Sequence, residues 1–206
     1  MKKVMLLIAV VISITNISTA QRGFSIGLKA GANYANVYDS QDNDFQADSK
    51  LGFVGGLTLA IPFGKFLGFQ PELLYSQKGF KGTGKLLGTS YGLTRTSNYI
   101  DIPLMLAIKP IEFITIYAGP QYSYLMKQKD EFQGGALTVD QEREFNKQDI
   151  RKNTLGFIGG LDFNLKNAVV GVRAGWDMQN NNGDGTSTTP RYKNAWLQGT
   201  LGIRIY

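Results

Sequence analysis

The chain of 206 residues contains no cysteine and no histidine. Without cysteine there are no disulfides, no thiolate nucleophile and no thiolate metal site. Without histidine, the commonest general base near neutral pH and the commonest zinc ligand are both missing. Long apolar runs are also missing once the first twenty residues are set aside. A membrane-spanning helix needs about 20 consecutive apolar residues, so a helical membrane protein is excluded. A concentrated charge of one sign is lacking as well. Lys and Arg number 22 against 16 Asp and Glu, a net charge of +6, but the basic residues are scattered among acidic ones. That pattern offers no stripe for nucleic acid; it suits solubility and attraction to anionic lipid headgroups.

The first twenty residues have the three parts of a secretory signal peptide. Lys2 and Lys3 give a positive start, Val4 to Ile14 an apolar run, and Ser18-Thr19-Ala20 a small-residue cleavage site. The expected organisation is therefore a signal peptide over 1–20 and one domain over 21–206, with cleavage leaving Gln21 first.

What the rest of the chain has in quantity is alternation. From Tyr99 to Lys109, Ile100, Ile102, Leu104, Leu106 and Ile108 share one parity while Asp101 and Lys109 take the other. A period of two means an extended strand with two unlike faces. Strands are expected at about 23–36, 51–63, 66–78, 97–109, 112–126, 153–165, 168–179 and 195–206, each long enough for a tilted crossing of roughly 9–11 residues. One phase is apolar, with Phe24, Leu28, Leu57, Leu73, Ile116, Leu161, Val172 and Leu201 among its members. The other carries Lys29, Glu72, Lys78, Asp101, Lys109, Asp162, Arg173, Asp177 and Arg204. An Arg or Lys facing the middle of a bilayer costs about 2–4 kcal/mol, so this segregation indicates lipid on one side and a polar lumen on the other. The fold class expected is all-β: an eight-stranded antiparallel up-and-down transmembrane β-barrel.

The connections alternate in length. Tight turns are expected at Gly64-Lys65, Pro110-Ile111 and Lys166-Asn167, and long polar segments at 38–50, 79–96, 127–152 and 180–194. Long loops outside and short turns in the periplasm make that rhythm, and an even strand count puts both termini in the periplasm. A two-residue turn at Lys166-Asn167 pairs Leu165 with Ala168 and Leu161 with Val172, all on the apolar phase. Phe24, Phe63, Phe69 and Phe163 gather at the short-turn end, and Tyr34, Tyr75, Tyr122, Tyr124 and Trp176 toward the other, as two interfacial girdles.

Ser25-Ile-Gly-Leu-Lys-Ala-Gly-Ala-Asn33, Phe69-Gln-Pro-Glu-Leu-Leu-Tyr-Ser-Gln-Lys-Gly79, Tyr99-Ile-Asp-Ile-Pro-Leu104 and Ala118-Gly-Pro-Gln121 resemble the PorT-like outer-membrane β-barrel family of Bacteroidota. The resemblance covers the mature chain. It implies a small barrel of about eight strands in the outer membrane and, through PorT itself, a link to type IX secretion that most relatives need not share. One departure is the terminus. Outer-membrane strands of this kind finish with an aromatic on the lipid phase, whereas here Ile205 holds that phase and Tyr206 falls one position off it.

Among candidate sites, Gly79-Phe-Lys-Gly-Thr-Gly84-Lys85-Leu86 approaches a phosphate-binding loop. Leu86 stands where a magnesium-holding hydroxyl is required, and no helix follows. Asp39, Asp42 and Asp44, and the segment from Asn180 to Asp184, carry oxygen ligands of the kind calcium uses, but in no EF-hand spacing. The lumen charges are the stronger candidates. Lys29, Arg173 and Arg204 come from strands that adjoin around a closed barrel and form a basic wall. Glu72 and Asp101 face it, with Asp162 also inside. A barrel this narrow is filled by side chains, so Lys29, Glu72, Asp101, Asp162, Arg173 and Arg204 are expected to form a cross-lumen ion-pair network that plugs it. A gated ion path through the network is the alternative, and a catalytic pair needs a cleft that substrate can reach. No catalytic residue, cofactor or metal ligand is assigned.

The reading is a non-enzymatic outer-membrane barrel, structural or binding through its loops, and monomeric. Its partners are outer-membrane lipid and, on the alternative of an accessory barrel in a secretion or envelope machine, envelope or secretion proteins; nucleic acid is not among them. A lipid-modifying barrel enzyme is a third reading, weakened by the missing histidine.

Overall fold

The computed structural model describes residues 23–38, 46–86, 89–134, 137–142, 150–181 and 192–205. The expected signal peptide, the acidic residues 39, 42 and 44, the segment 182–184 and Tyr206 lie outside the described residues. Among the described residues nine strands form: β1 (Ser25–Tyr38), β2 (Gln46–Phe63), β3 (Leu67–Leu86), β4 (Thr89–Ile111), β5 (Ile114–Gly134), β6 (Leu137–Glu142), β7 (Asn153–Leu165), β8 (Ala168–Asp177) and β9 (Lys193–Arg204). Every pairing is antiparallel, in the order β4-β3-β2-β1-β9-β8-β7-β5, and a further β4–β5 pairing closes the ring. Eight strands therefore make a closed barrel with no open edge, the one sheet arrangement that satisfies its backbone inside lipid. The short β6 pairs with the upper part of β5, beyond the point where β7 begins.

The two phases sort as the alternation requires. Leu28, Leu57, Leu73, Leu106, Leu161, Val172 and Leu201 stand exposed on the outer wall, while Lys29, Glu72, Lys78, Asp101, Asp162, Arg173 and Asp177 are buried inside. Val54, Leu74, Met105, Ile158 and Trp196 share the interior with them. Packed side chains thus fill the barrel, and its largest apolar surface is turned outward, where only a lipid solvent makes it favourable.

At Lys166-Asn167 the register is Leu165↔Ala168 and Leu161↔Val172, as the two-residue turn demands, with Lys166 at φ 53°. This is the left-handed conformation that tight hairpin turns require. The turn between β4 and β5 is Glu112-Phe113 rather than Pro110-Ile111. Ile111 pairs with Ile114, and the register shifts between Ile108 and Ile111, where Pro110 has no N–H to give the ladder. The first tight turn spans 64–66, opened by Gly64 at φ 86°.

The largest correction concerns the segments expected to be loops. Residues 79–96 are not a loop: β3 and β4 remain paired to Leu86↔Thr89. Likewise β2 starts at Gln46, β5 runs to Gly134, and β6 returns from it with Gly134↔Leu137. Above the lipid both faces of a ribbon are wet, so the ladder can persist while the apolar phase stops. Two local features carry the strands through. Gly79, at φ 153°, lets β3 pass close to β4, where a Cβ would fall 2.0 Å from the Arg95 carbonyl oxygen. A bulge on β5 at Met126, between the pairs Tyr99↔Leu125 and Asn98↔Lys127, shifts the inward parity from Leu125 to Gln128 and Asp130.

Candidate functional site

The interior chemistry is stacked along the barrel axis. Nearest the short-turn end, β3 contributes Glu72, β1 Lys29, β8 Arg173, β7 Asp162 and β5 Tyr117. The Glu72 carboxylate accepts from Lys29 Nζ at 2.8 Å and from both Arg173 Nη atoms at 2.6 and 2.9 Å. Tyr117 donates its hydroxyl to Asp162 Oδ1 at 2.7 Å and accepts from Arg173 Nε at 2.7 Å. Gln70 Nε2 adds a bond to Glu72 at 3.0 Å, and Arg173 lies 3.9 Å from Asp162. Two cations meet two carboxylates, and the charges within this cluster cancel. Balance matters because an unpaired ion buried at this depth carries a desolvation cost of several kcal/mol.

A second cluster lies higher. Lys78 Nζ is 3.0 Å from Asp101 Oδ2 and sits 3.8 Å above the Trp196 ring. That ring closes over Gly175, where a Cβ would come 2.4 Å from Trp196 Cζ2. Along β3, Leu74 stands between Glu72 and Lys78, and Asn33 links Gln198 to Ser76 by bonds of 2.9 and 3.0 Å. Above this, in the extended part of the strands, Arg95 grips Asp130 with two bonds of 2.7 and 2.6 Å and donates to the Tyr192 hydroxyl at 3.0 Å. Tyr192 meets Phe80 edge to face, with centroids 5.3 Å apart. This layer caps the lumen.

Of the six residues expected to form one network, Lys29, Glu72, Asp162 and Arg173 are brought together. Asp101 is not with them. It is level with Leu74 in the β3–β4 register, two residues above Glu72, and Lys78 of the same hairpin takes it. Arg204 is not with them either. It pairs with Gly27, two residues below Lys29, and bonds to the Asn164 side-chain oxygen at the mouth. Tyr117 was missed because a tyrosine on the inner phase carries no charge signal. The Arg95–Asp130–Tyr192 cap was missed because its residues fall in stretches expected to be loops.

A closed antiparallel barrel with an apolar belt outside and paired charges inside is an outer-membrane barrel protein. The chain matches the family described as "Outer membrane protein beta-barrel domain" over residues 16–183 and belongs to it. Among solved structures it is similar to Ail, the attachment invasion locus protein of Yersinia pestis, at 14% identity, covering 90% of this chain and 100% of that one, with a TM-score of 0.49. Neisserial surface protein A is likewise 14% identical, covering 89% of this chain and 100% of its own, with a TM-score of 0.49. OprG of Pseudomonas aeruginosa is 15% identical over 90% and 97% of the two chains, at 0.43. No curated protein matches the chain.

Proposed function

We propose that this protein is a non-enzymatic barrel of the outer membrane whose lumen is closed and whose extended hairpins form a binding platform. What supports closure is the stack of buried pairs: Lys29–Glu72–Arg173 below, Lys78–Asp101 above, and the Arg95–Asp130 cap. The chain enters by a signal peptide, acts as a monomer, and keeps both termini in the periplasm, with the short turns there and the long β3–β4 and β5–β6 hairpins on the far side. Ribbon that stays ordered beyond the lipid holds side chains in fixed positions, which favours recognition over passive tethering.

Planar-bilayer recording tests closure: purified barrel gives no steady conductance, and steady open channels overturn the reading. Crosslinking in the intact envelope tests the platform. A partner that crosslinks through β3–β4 and is lost when residues 81–94 are replaced by a tight turn supports it; identical crosslinks from the shortened barrel contradict it. A crosslinked secretion component would favour the accessory role suggested by the resemblance to PorT.

A further inference from the structure

The barrel wall has one stretch where the ladder is interrupted on neighbouring seams. Between β2 and β3 the pairing passes from Thr58↔Glu72 to Ile61↔Phe69, omitting Gln70 and Pro71. Between β3 and β4 it passes from Pro71↔Leu104 to Leu74↔Asp101, omitting Ile102 and Pro103. Between β4 and β5 it passes from Pro103↔Gln121 to Leu106↔Ala118, omitting Gly119 and Pro120. Register is unchanged across each gap, and each gap holds one proline, which has no N–H to give the ladder. The seams β1–β2, β1–β9, β5–β7, β7–β8 and β8–β9 carry unbroken runs of pairs. The gaps lie within two residues of one level in the register, inside the apolar belt, with Leu73 and Leu104 exposed on the outer side. Hydrocarbon offers no hydrogen bonds in place of those the prolines omit, so this panel is the weakest part of the wall.

What holds the panel is on its inner side. Gln70 and Glu72 stand on the interrupted stretch of β3, and Glu72 is bound to Lys29 of β1 and Arg173 of β8. These ties cross the lumen to strands outside the panel. Behind the β4 and β5 parts lies an apolar cluster that includes Met105, Ala107, Tyr117 and Ile158, all buried. We propose that the panel is a lateral opening, latched by the Glu72 ion pairs, that admits an acyl chain of a membrane lipid to the Met105–Ile158 cluster. At this level the outer wall meets hydrocarbon and the surface behind it is apolar, so an acyl chain has the matching chemistry. A polar headgroup belongs at the girdles instead. Drawing either cation away from Glu72 frees the panel. The inference concerns the side wall and goes beyond the closure of the lumen along its axis.

The test uses the full folded protein in nanodiscs containing a phospholipid with a diazirine in mid-chain, photolysed and mapped by peptide mass spectrometry. In the wild type, adducts fall on the outer residues Leu73 and Leu104, with Met105 at a low level. Glu72→Gln raises the Met105 fraction about tenfold or more, given the cost of losing a buried charge partner. Val54, inward on β2 and above the gaps, stays unlabelled. Leu73 and Ile102 lie opposite each other across the β3–β4 gap. Joining Leu73→Cys and Ile102→Cys by a disulfide in the Glu72→Gln background returns Met105 to the wild-type level, and reduction reverses this. The chain has no cysteine of its own to interfere. Heat-modifiable gel migration establishes that each variant is folded, and Glu72→Asp, too short to reach both cations, replaces Glu72→Gln if that variant does not fold. An unchanged Met105 fraction in the folded variant overturns the proposal. So does an equal rise at Val54, which would be general loosening, or labelling of Met105 that persists in the disulfide-joined form. Conductance is a separate readout, so a failure here leaves the closed lumen standing, and the reverse also holds.

Discussion

Glu72 is the residue on which the interior most depends. One carboxylate holds Lys29 and Arg173, and all three are buried. Glu72→Gln leaves two cations facing each other with Asp162 alone nearby, and removing one member of a buried pair costs about 3–5 kcal/mol. The urea midpoint of the barrel in lipid vesicles should fall accordingly, and Lys29→Met in the same background should recover part of the loss. If the single and double variants unfold together at the wild-type midpoint, Glu72 is not buried in this way. Gly175 is a second sensitive point, since a methyl there enters the space of the Trp196 indole. Gly175→Ala should lower stability by about 1–3 kcal/mol and shift Trp196 fluorescence, because the ring must leave its place over Lys78. On the outer wall, Val172→Arg should cost about 2–4 kcal/mol in bilayers, measured by the same urea titration. An Arg there without effect would mean Val172 does not face lipid.

At the scale of elements, legibility followed the solvent. Inside the bilayer the contrast between faces is large, and it wrote itself into the sequence as strict parity. For this reason β1, β7 and β8 begin and end within about two residues of their expected bounds. The same parity at Lys166-Asn167 fixed the β7–β8 register. Beyond the bilayer the contrast disappears. Phe80, Arg95, Gln128 and Asp130 face inward across paired strands, yet no apolar phase marks the stretch between Gly79 and Thr96. The site suffered from a related limit. Parity tells which charges are inside, but only register tells their height. Parity puts Asp101 and Arg204 on the inner phase, whereas register sets Asp101 level with Leu74 and Arg204 level with Gly27, away from the layer of Glu72. Because the ladder is continuous to Leu86↔Thr89, the backbone amides of Lys81 to Leu86 that donate across it should be protected in hydrogen exchange of the barrel in nanodiscs. Complete exchange of these amides within the dead time would mean that the segment is a loop after all.

For the molecule as a whole, the account rests on an inverted solvent relation: leucines on the outside and paired ions within, with one end extended into a tall ribbon. A soluble barrel of this size needs the reverse arrangement, and 206 residues with 18% charge cannot supply a polar coat while burying eight charged side chains among the described residues. The measurement that decides the matter most directly is methyl-resolved NMR of the barrel in nanodiscs carrying a spin label on the lipid acyl chains. The methyls of Leu57, Leu161, Val172 and Leu201 should broaden strongly, and those of Val54, Leu74, Met105 and Ile158 should stay sharp. Equal broadening of both sets, or broadening of the second set alone, would contradict the account.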